Sequence, residues 1–260
     1  MPFIEKNGLK YFQFESLPAL AVHGVFTRRG GVSTGHCASL NMGGSVGDDP
    51  ANVSANRVLA FGALGRDPES IFDVWQVHGT TTSCAVEPRH PNSHEDKADI
   101  IFTDQSDVTL YMRFADCTPL LFVDPVKRVV GLAHAGWQGT VQNVAGAAVT
   151  AMRDRYGTQP ADIYAAIGPA IGADHYEVGE NVIDAARESF GDYAEMLLPK
   201  VGERRHFDLW AANRLQLEQA GVLKIESANL CTACQTDDWF SHRQERGKTG
   251  RFGVLMGLRA

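Results

Sequence analysis

Arg113-Phe-Ala-Asp-Cys-Thr-Pro119, with its continuation Gly131-Leu-Ala-His-Ala-Gly-Trp-Gln-Gly139, is the stretch on which the reading of this chain turns. Between the two pieces, Leu120 to Val123 is a short apolar run bounded by Pro119 and the turn Asp124-Pro125. Val129 to Ala133 is a second run, ended by His134 and the glycines Gly136 and Gly139. Apolar, β-branched runs of this length between turn residues are strands. Two such strands joined by a tight turn run back to back. Cys117, just before the first, and His134, just after the second, are therefore expected at one end of the pair. A thiol and an imidazole at a sheet edge, with Asp116 alongside, suit a metal site or a Cys-His nucleophile. A buried cysteine beside a satisfied histidine is the bland alternative.

Working outward, Val108 to Phe114 is a strand leading into Asp116-Cys117, and Ala98-Asp-Ile-Ile-Phe-Thr103 is another. Ile71 to Val77 is predicted as a strand ending in Trp75-Gln-Val-His-Gly79, which puts His78 too at a glycine turn. Glu87 to Lys97, polar with two prolines and two histidines, reads as a mobile loop. Val22 to Thr27 is a strand followed by Arg28-Arg-Gly-Gly-Val-Ser-Thr-Gly35. That loop suits an anion nest or a plain surface turn; no Gly-Lys-Ser/Thr follows, so it is not a P-loop. Asp49-Pro50 opens a helix that runs to about Leu64, stops at Gly65 and carries Arg57. Past Gly139 a helix is expected with Thr140 as its cap and an apolar stripe of Val141, Val144, Ala145, Ala148, Val149 and Met152. Asp162 to Ile167 is a strand, Val182 to Phe190 and Asp208 to Ala220 are helices, and Ile225 to Leu230 is the last clear strand. The tail from Trp239 through Phe252 is basic and aromatic, suited to covering a ligand. Strands occur in adjacent runs as well as alternating with helices, and no linker or repeat divides the chain. The fold class is therefore α+β with mixed sheets, as a single domain over residues 1–260.

Composition narrows the function. A hydrophobic content of 44% and a charged content of 21% describe an ordinary globular protein. A net charge of −7 argues against a nucleic-acid partner, which calls for a basic face. No apolar run reaches the length of a membrane span, and Met1 to Tyr11 lacks a signal peptide's apolar core, so a cytoplasmic location is expected. Five unevenly spaced cysteines point to free thiols rather than a disulfide framework.

Three residues stand out: His78, Cys117 and His134. One thiolate and two imidazoles leave a tetrahedral zinc ion one open position, the catalytic arrangement. A second pattern competes. His175-Tyr-Glu177 with Cys231-Thr-Ala-Cys234 mimics the His-x-Glu and Cys-x-x-Cys of cytidine-deaminase-type zinc sites. Leu230 stands where that pattern has proline. Cys231 and Cys234 are expected to be small core residues without convergent partners, inert toward metal.

Trp75-Gln-Val-His-Gly79, Ala115-Asp-Cys-Thr-Pro119, His134-Ala-Gly-Trp-Gln-Gly139, Gly168-Pro169, Tyr176-Glu-Val-Gly179 and Phe240-Ser-His-Arg243, with Ser39-Leu-Asn-Met-Gly43, occur in order over nearly the whole chain. Together they resemble the family called laccase-domain proteins, polyphenol oxidases, peptidoglycan editing factors and purine nucleoside phosphorylases. The resemblance implies packed mixed β-sheets with helices on the outer faces and a zinc site on His78, Cys117 and His134. It implies phosphorolysis of adenosine, inosine and methylthioadenosine, and deamination of adenosine. The partners expected are purine nucleosides and phosphate. Asn41, Arg57, Arg243 and Arg28 are the substrate- and phosphate-binding candidates, and Asp116 is expected to orient a ligand or the substrate. Gln138 stands where the family often has a basic residue, and the family often has a cysteine near His175. Two other functions compete: a metal-free hydrolase or amidase linked to peptidoglycan editing, with Cys117 as nucleophile and His134 as base, and a copper polyphenol oxidase. The latter calls for paired histidines, and the nine histidines include no His-x-His.

Overall fold

In a computed structural model, which describes residues 2–89 and 96–260, the Leu120 and Val129 runs form the hairpin at the centre of a six-stranded sheet. The strands are β1 (Phe3–Lys6), β2 (Leu9–Phe12), β3 (Ala21–Phe26), β4 (Ile71–Phe72), β5 (Thr82–Ala85), β6 (Ile100–Thr103) and β7 (Thr109–Phe114), then β8 (Thr118–Asp124), β9 (Val129–Ala135), β10 (Tyr164–Ile167), β11 (Lys200–Val201), β12 (Arg204–Arg205), β13 (Lys224–Ser227) and β14 (Phe252–Leu258). The α-helices are α1 (Pro50–Ala63), α2 (Trp137–Val141), α3 (Val144–Tyr156), α4 (Glu180–Phe190), α5 (Ala194–Leu197) and α6 (Leu209–Gln219). One sheet has the order β1-β2-β3-β14-β7-β4 and the other β13-β10-β8-β9-β6-β5, with β11 and β12 as a separate pair. Both large sheets mix parallel and antiparallel neighbours, so the α+β expectation holds.

Strand periodicity explains the layering. Successive side chains of a strand point to opposite faces. In β8, Leu121 and Val123 face the other sheet, whereas Leu120 and Phe122 face helices. β9 splits in the same way, Val130 and Leu132 inward, Val129 and Ala133 outward. Opposite them, Val254 and Met256 of β14 and Leu110 and Met112 of β7 complete the core between the sheets. Ala145, Ala148 and Met152 of α3 and Leu217 of α6 cover one outer face, and Ala60, Phe61 and Ala63 of α1 cover the other. Both sheets are thus buried on two faces, which is why their central strands read as continuous apolar runs rather than alternating ones.

Several boundaries differ from expectation, each for a local reason. The Ile71 strand stops at Phe72. Gln76 then takes the place of a ladder partner with its side chain: its amide donates to the Arg113 carbonyl (2.9 Å) and accepts from the Arg113 N–H (3.0 Å). His134 lies inside β9 rather than after it, because its N–H donates to the Asp99 carbonyl (2.8 Å) and prolongs the pairing. The helix expected beyond Gly139 starts at Trp137 and is interrupted at Asn143 (φ 62°), whose side chain accepts from Gly146 N–H and caps α3; Thr140 is not the cap. The Ile225 strand ends at Ser227, before Asn229 at φ 50°. Nor is it the last strand: β14 is central to its sheet. Its glycines hid it, yet Gly253 has a steric reason, since a Cβ there would lie 2.5 Å from the Met42 sulfur. Of the loop expected over Glu87 to Lys97, residues 90–95 lie outside the described residues. No helix among the described residues is long and apolar enough to cross a membrane.

Candidate metal centre

Because even-numbered residues of β9 face the opposite sheet, His134 points into the seam between the sheets, at their end. Cys117 precedes β8 directly across the hairpin, where Thr118 pairs with Ala135 and Pro119 with His134. His78 arrives on the loop after Trp75. The ligand atoms of His78, Cys117 and His134 all lie within 4.8 Å of one another, and the two imidazole centroids are 4.7 Å apart. Gly136 makes the approach possible. A Cβ on it would fall 2.9 Å from His78 Cδ2 and 3.0 Å from Cys117 Sγ.

The residue that assembles this group is Asp99, which is fully buried. Its carboxylate accepts from the N–H of Val77 (3.1 Å), His78 (3.0 Å) and Gly79 (2.7 Å), fixing a loop in which His78 sits at φ 63°. It also pairs with His134 Nδ1 at 2.8 Å. That contact settles the ring's orientation and leaves Nε2 for a ligand, the usual role of a carboxylate behind a metal-binding histidine. Burial pushes the Cys117 thiol up, but His134 and His78 beside it outweigh burial and bring it to about 6. Burial works against the His134 imidazolium, yet Cys117 and Asp99 raise it to about 9. One soft sulfur and two nitrogens, pre-aimed by a carboxylate, fit a transition-metal ion.

Above the three side chains opens a cavity of about 510 Å³, within the size range of small-molecule sites. Trp75, Phe114, Trp137 and Tyr176 give it aromatic walls, and Arg113, Arg243 and Arg251 give it positive charge.

Residues 22–259 match the family described as multi-copper polyphenol oxidoreductase laccase. The chain belongs to that family. A protein of Geobacillus stearothermophilus named purine nucleoside phosphorylase YlmD is 40% identical over 92% of this chain and 90% of its own length. A purine nucleoside phosphorylase of Deinococcus radiodurans is also 40% identical, over 93% and 91%. Among solved structures, YlmD from Geobacillus stearothermophilus superposes with a TM-score of 0.93 at 37% identity, covering 100% of this chain and 99% of that one. The hypothetical protein YfiH of Bacillus licheniformis does so with a TM-score of 0.92 at 33% identity, covering 99% of each.

The other residues singled out from the sequence of this laccase-family chain divide in two. Asp116 and Arg243 line the cavity. Asp116, at φ 83°, is bound by segments rather than by a metal-binding histidine: its carboxylate accepts from Thr232 Oγ1 and from the Arg243 N–H, both at 2.7 Å. The carboxylate that orients a histidine is Asp99. Arg243 lies over the Tyr176 ring and donates to the Glu177 carbonyl. Asn41, Arg57 and Arg28 do not line the cavity but support it. Buried Asn41 accepts from the N–H of Gly43 (3.0 Å) and Arg251 (2.8 Å), two residues that do line it. Arg57 packs on Tyr111 and donates to the Met42 carbonyl. Arg28 donates to Ala38 O, Thr236 O and Glu245 and stacks on Phe240, bracing the segment that carries Arg243. Asp99, Arg113 and Arg251 were missed. Asp99 was embedded in a strand prediction, and a single acidic residue there carries no motif.

The expectation that Cys231 and Cys234 lack partners is wrong. Asp174 and His175 converge on them, with all four ligand atoms within 4.8 Å of one another. Glu177, the acid of the deaminase-like pattern, instead pairs with Arg204 at 2.6 Å.

Proposed function

We propose that the protein is a zinc-dependent purine nucleoside phosphorylase that also deaminates adenosine. Its substrates are taken to be adenosine, inosine and methylthioadenosine, in a cytoplasmic enzyme of one domain over residues 1–260. The observation that carries the reading is the convergence of His78, Cys117 and His134 at the base of a cavity walled by aromatic rings and arginines. The names of the Geobacillus stearothermophilus and Deinococcus radiodurans relatives support it.

The donor set favours zinc over multicopper chemistry, which calls for more paired histidines than nine without a His-x-His supply. When bound, the ion supplies Lewis-acid polarisation and a means of activating water for deamination at C6. The rest falls to the protein. The aromatic walls stack the purine. Phosphorolysis joins a phosphate oxygen to C1′ as the C1′–N9 bond breaks, its electrons leaving with the purine, which takes up a proton. Positive charge grows on the ribose, so the anionic phosphate must be held close to C1′ and in line. Arg243 and Arg251 do this with paired N–H donors, while Asn41, Arg57 and Arg28 hold the loops that present them. Asp116 sets the Arg243 backbone.

A second reading has its own observation. Without metal, Cys117, His134 and Asp99 form a line of thiol, imidazole and carboxylate, which is the layout of a cysteine hydrolase. Elemental analysis and product chromatography separate the two. Base and ribose 1-phosphate formed only with phosphate present, from zinc-containing protein, and lost in His78→Ala and Cys117→Ala, supports the phosphorylase. Nucleosides left untouched while amide substrates are cleaved through Cys117 establishes the hydrolase, and copper in place of zinc overturns the choice of metal.

A further inference from the structure

We propose that Asp174, His175, Cys231 and Cys234 bind a second metal ion, zinc by their donor set, as a closed structural clamp beside the cavity. The four side chains come from two loops: Asp174 and His175 follow β10, and Cys231 and Cys234 follow β13. Their geometry is that of a ligand shell. With metal–ligand bonds of about 2.3 Å to sulfur, 2.0–2.1 Å to nitrogen and 2.0–2.2 Å to oxygen, tetrahedral edges come to about 3.5 Å (S–N), 3.6 Å (S–O) and 3.4 Å (N–O). The corresponding separations here are 3.5 Å from Cys234 Sγ and 3.8 Å from Cys231 Sγ to His175 Nδ1, 3.7 Å from Cys234 Sγ to Asp174 Oδ2, and 3.0 Å from His175 Nδ1 to Asp174 Oδ2. The Cys231–His175 separation must close, and the His175–Asp174 separation must open, by a few tenths of an ångström.

The surroundings suit thiolate ligands. The Gly172 N–H donates to Cys231 Sγ at 3.2 Å, the kind of outer contact that stabilises a coordinated thiolate. The two loops are already in register, with Ala170 bridged to Cys231 and Thr232 N–H donating to the Ala170 carbonyl. Four protein ligands leave no open position, so the site is structural rather than catalytic. Coordination releases the two thiol protons to solvent. What the clamp holds is functional: Tyr176, next to His175, walls the cavity, and Thr232, next to Cys231, bonds the Asp116 carboxylate.

Zinc is measured in full-length protein after exhaustive dialysis. The expected stoichiometry is two per chain in wild type, one in Cys117→Ala and one in Cys231→Ser/Cys234→Ser. Because the second site is read in the Cys117→Ala background, its result is independent of the catalytic reading. Should the cysteine double variant fail to fold, alkylation of the exposed Cys234 in zinc-loaded wild type, followed by mass spectrometry, gives the answer. Cys234 is expected to resist the reagent until a chelator strips the ion. One zinc in wild type that Cys117→Ala abolishes, equal alkylation with and without chelator, or a Cys231–Cys234 disulfide in fresh protein would each overturn the proposal.

Discussion

Asp99→Asn tests the logic of the metal centre most directly. The substitution keeps the shape of the side chain but turns one acceptor oxygen into an N–H donor. One carboxylate oxygen receives His78 N–H and His134 Nδ1, and the other receives the N–H of Val77 and Gly79. Whichever way the amide turns, two donors lose their acceptor. Loss of a carboxylate behind a metal-binding histidine lowers metal affinity by about 10–100-fold, or about 1.4–2.7 kcal/mol. The orphaned donors weaken the loop itself, each charge-assisted bond contributing about 1.5–3 kcal/mol. The assay is competition with a chromophoric chelator, accompanied by proton NMR of the imidazole N–H signals. A weaker metal site, loss of the His134 Nδ1–H resonance and recovery of activity in excess zinc are expected. Unchanged affinity in a folded Asp99→Asn protein refutes the argument that this carboxylate aims the ligands.

Arg251→Ala is expected to raise KM for phosphate by about 10–100-fold, the loss of one or two charge-assisted hydrogen bonds, with zinc content unchanged. Burial depresses buried His23 from 6.5 to about 4, and its Nε2 accepts from the Phe14 N–H. The unfolded chain therefore binds the extra proton, so this stability is complete above pH 6.5 and lost as pH falls to about 4, roughly 3 kcal/mol in all. His23→Gln, which keeps an acceptor and does not titrate, is expected to flatten the urea-stability profile over that window. Gly131→Ala places a Cβ 2.1 Å from the Phe102 ring and is expected to lower stability by about 1–3 kcal/mol through overpacking, as read by chemical denaturation.

The hairpin and the convergence of His134 with Cys117 were legible because both ends of the motif are bounded by turn residues and the strands are buried on two faces. β14 was not, because two glycines interrupt its apolar run and their reason is steric, lying in Met42 and in the Arg66 side chain of distant segments. The end of the Ile71 strand was hidden for a related reason: a glutamine side chain does the work of a backbone ladder. Among arginines, sequence has no means to tell one facing a cavity from one bracing a loop. Arg28 and Arg251 both stand close to glycines, yet only Arg251 lines the cavity. Cys231 and Cys234 look partnerless in the sequence because the deaminase-like pattern offers only His175 as a further ligand, Glu177 being its acid and not a ligand. The ligand that converges is the immediate neighbour of His175, Asp174, which no spacing rule selects.

Asp116 links the two clusters, and its chemistry gives a sharper prediction than its position. Its backbone carbonyl accepts from Ile171 N–H, and its carboxylate accepts from Thr232 Oγ1 and Arg243 N–H. One residue beside Cys117 thus fixes the loop before Asp174, the loop between the two cysteines and the loop bearing Arg243. Of the two carboxylate partners, an amide N–H can only donate, but a hydroxyl can also accept by rotating. Asp116→Asn therefore keeps both bonds, its oxygen toward Arg243 and its NH₂ toward Thr232. Asp116→Ala loses both. If Asp116 works by position, the Asn variant is expected to keep phosphate KM within a few-fold of wild type, while the Ala variant raises it and retains zinc on His78, Cys117 and His134. If Asn impairs catalysis as severely as Ala in folded, metal-loaded protein, the charge itself takes part in the reaction, and the positioning role assigned to Asp116 fails.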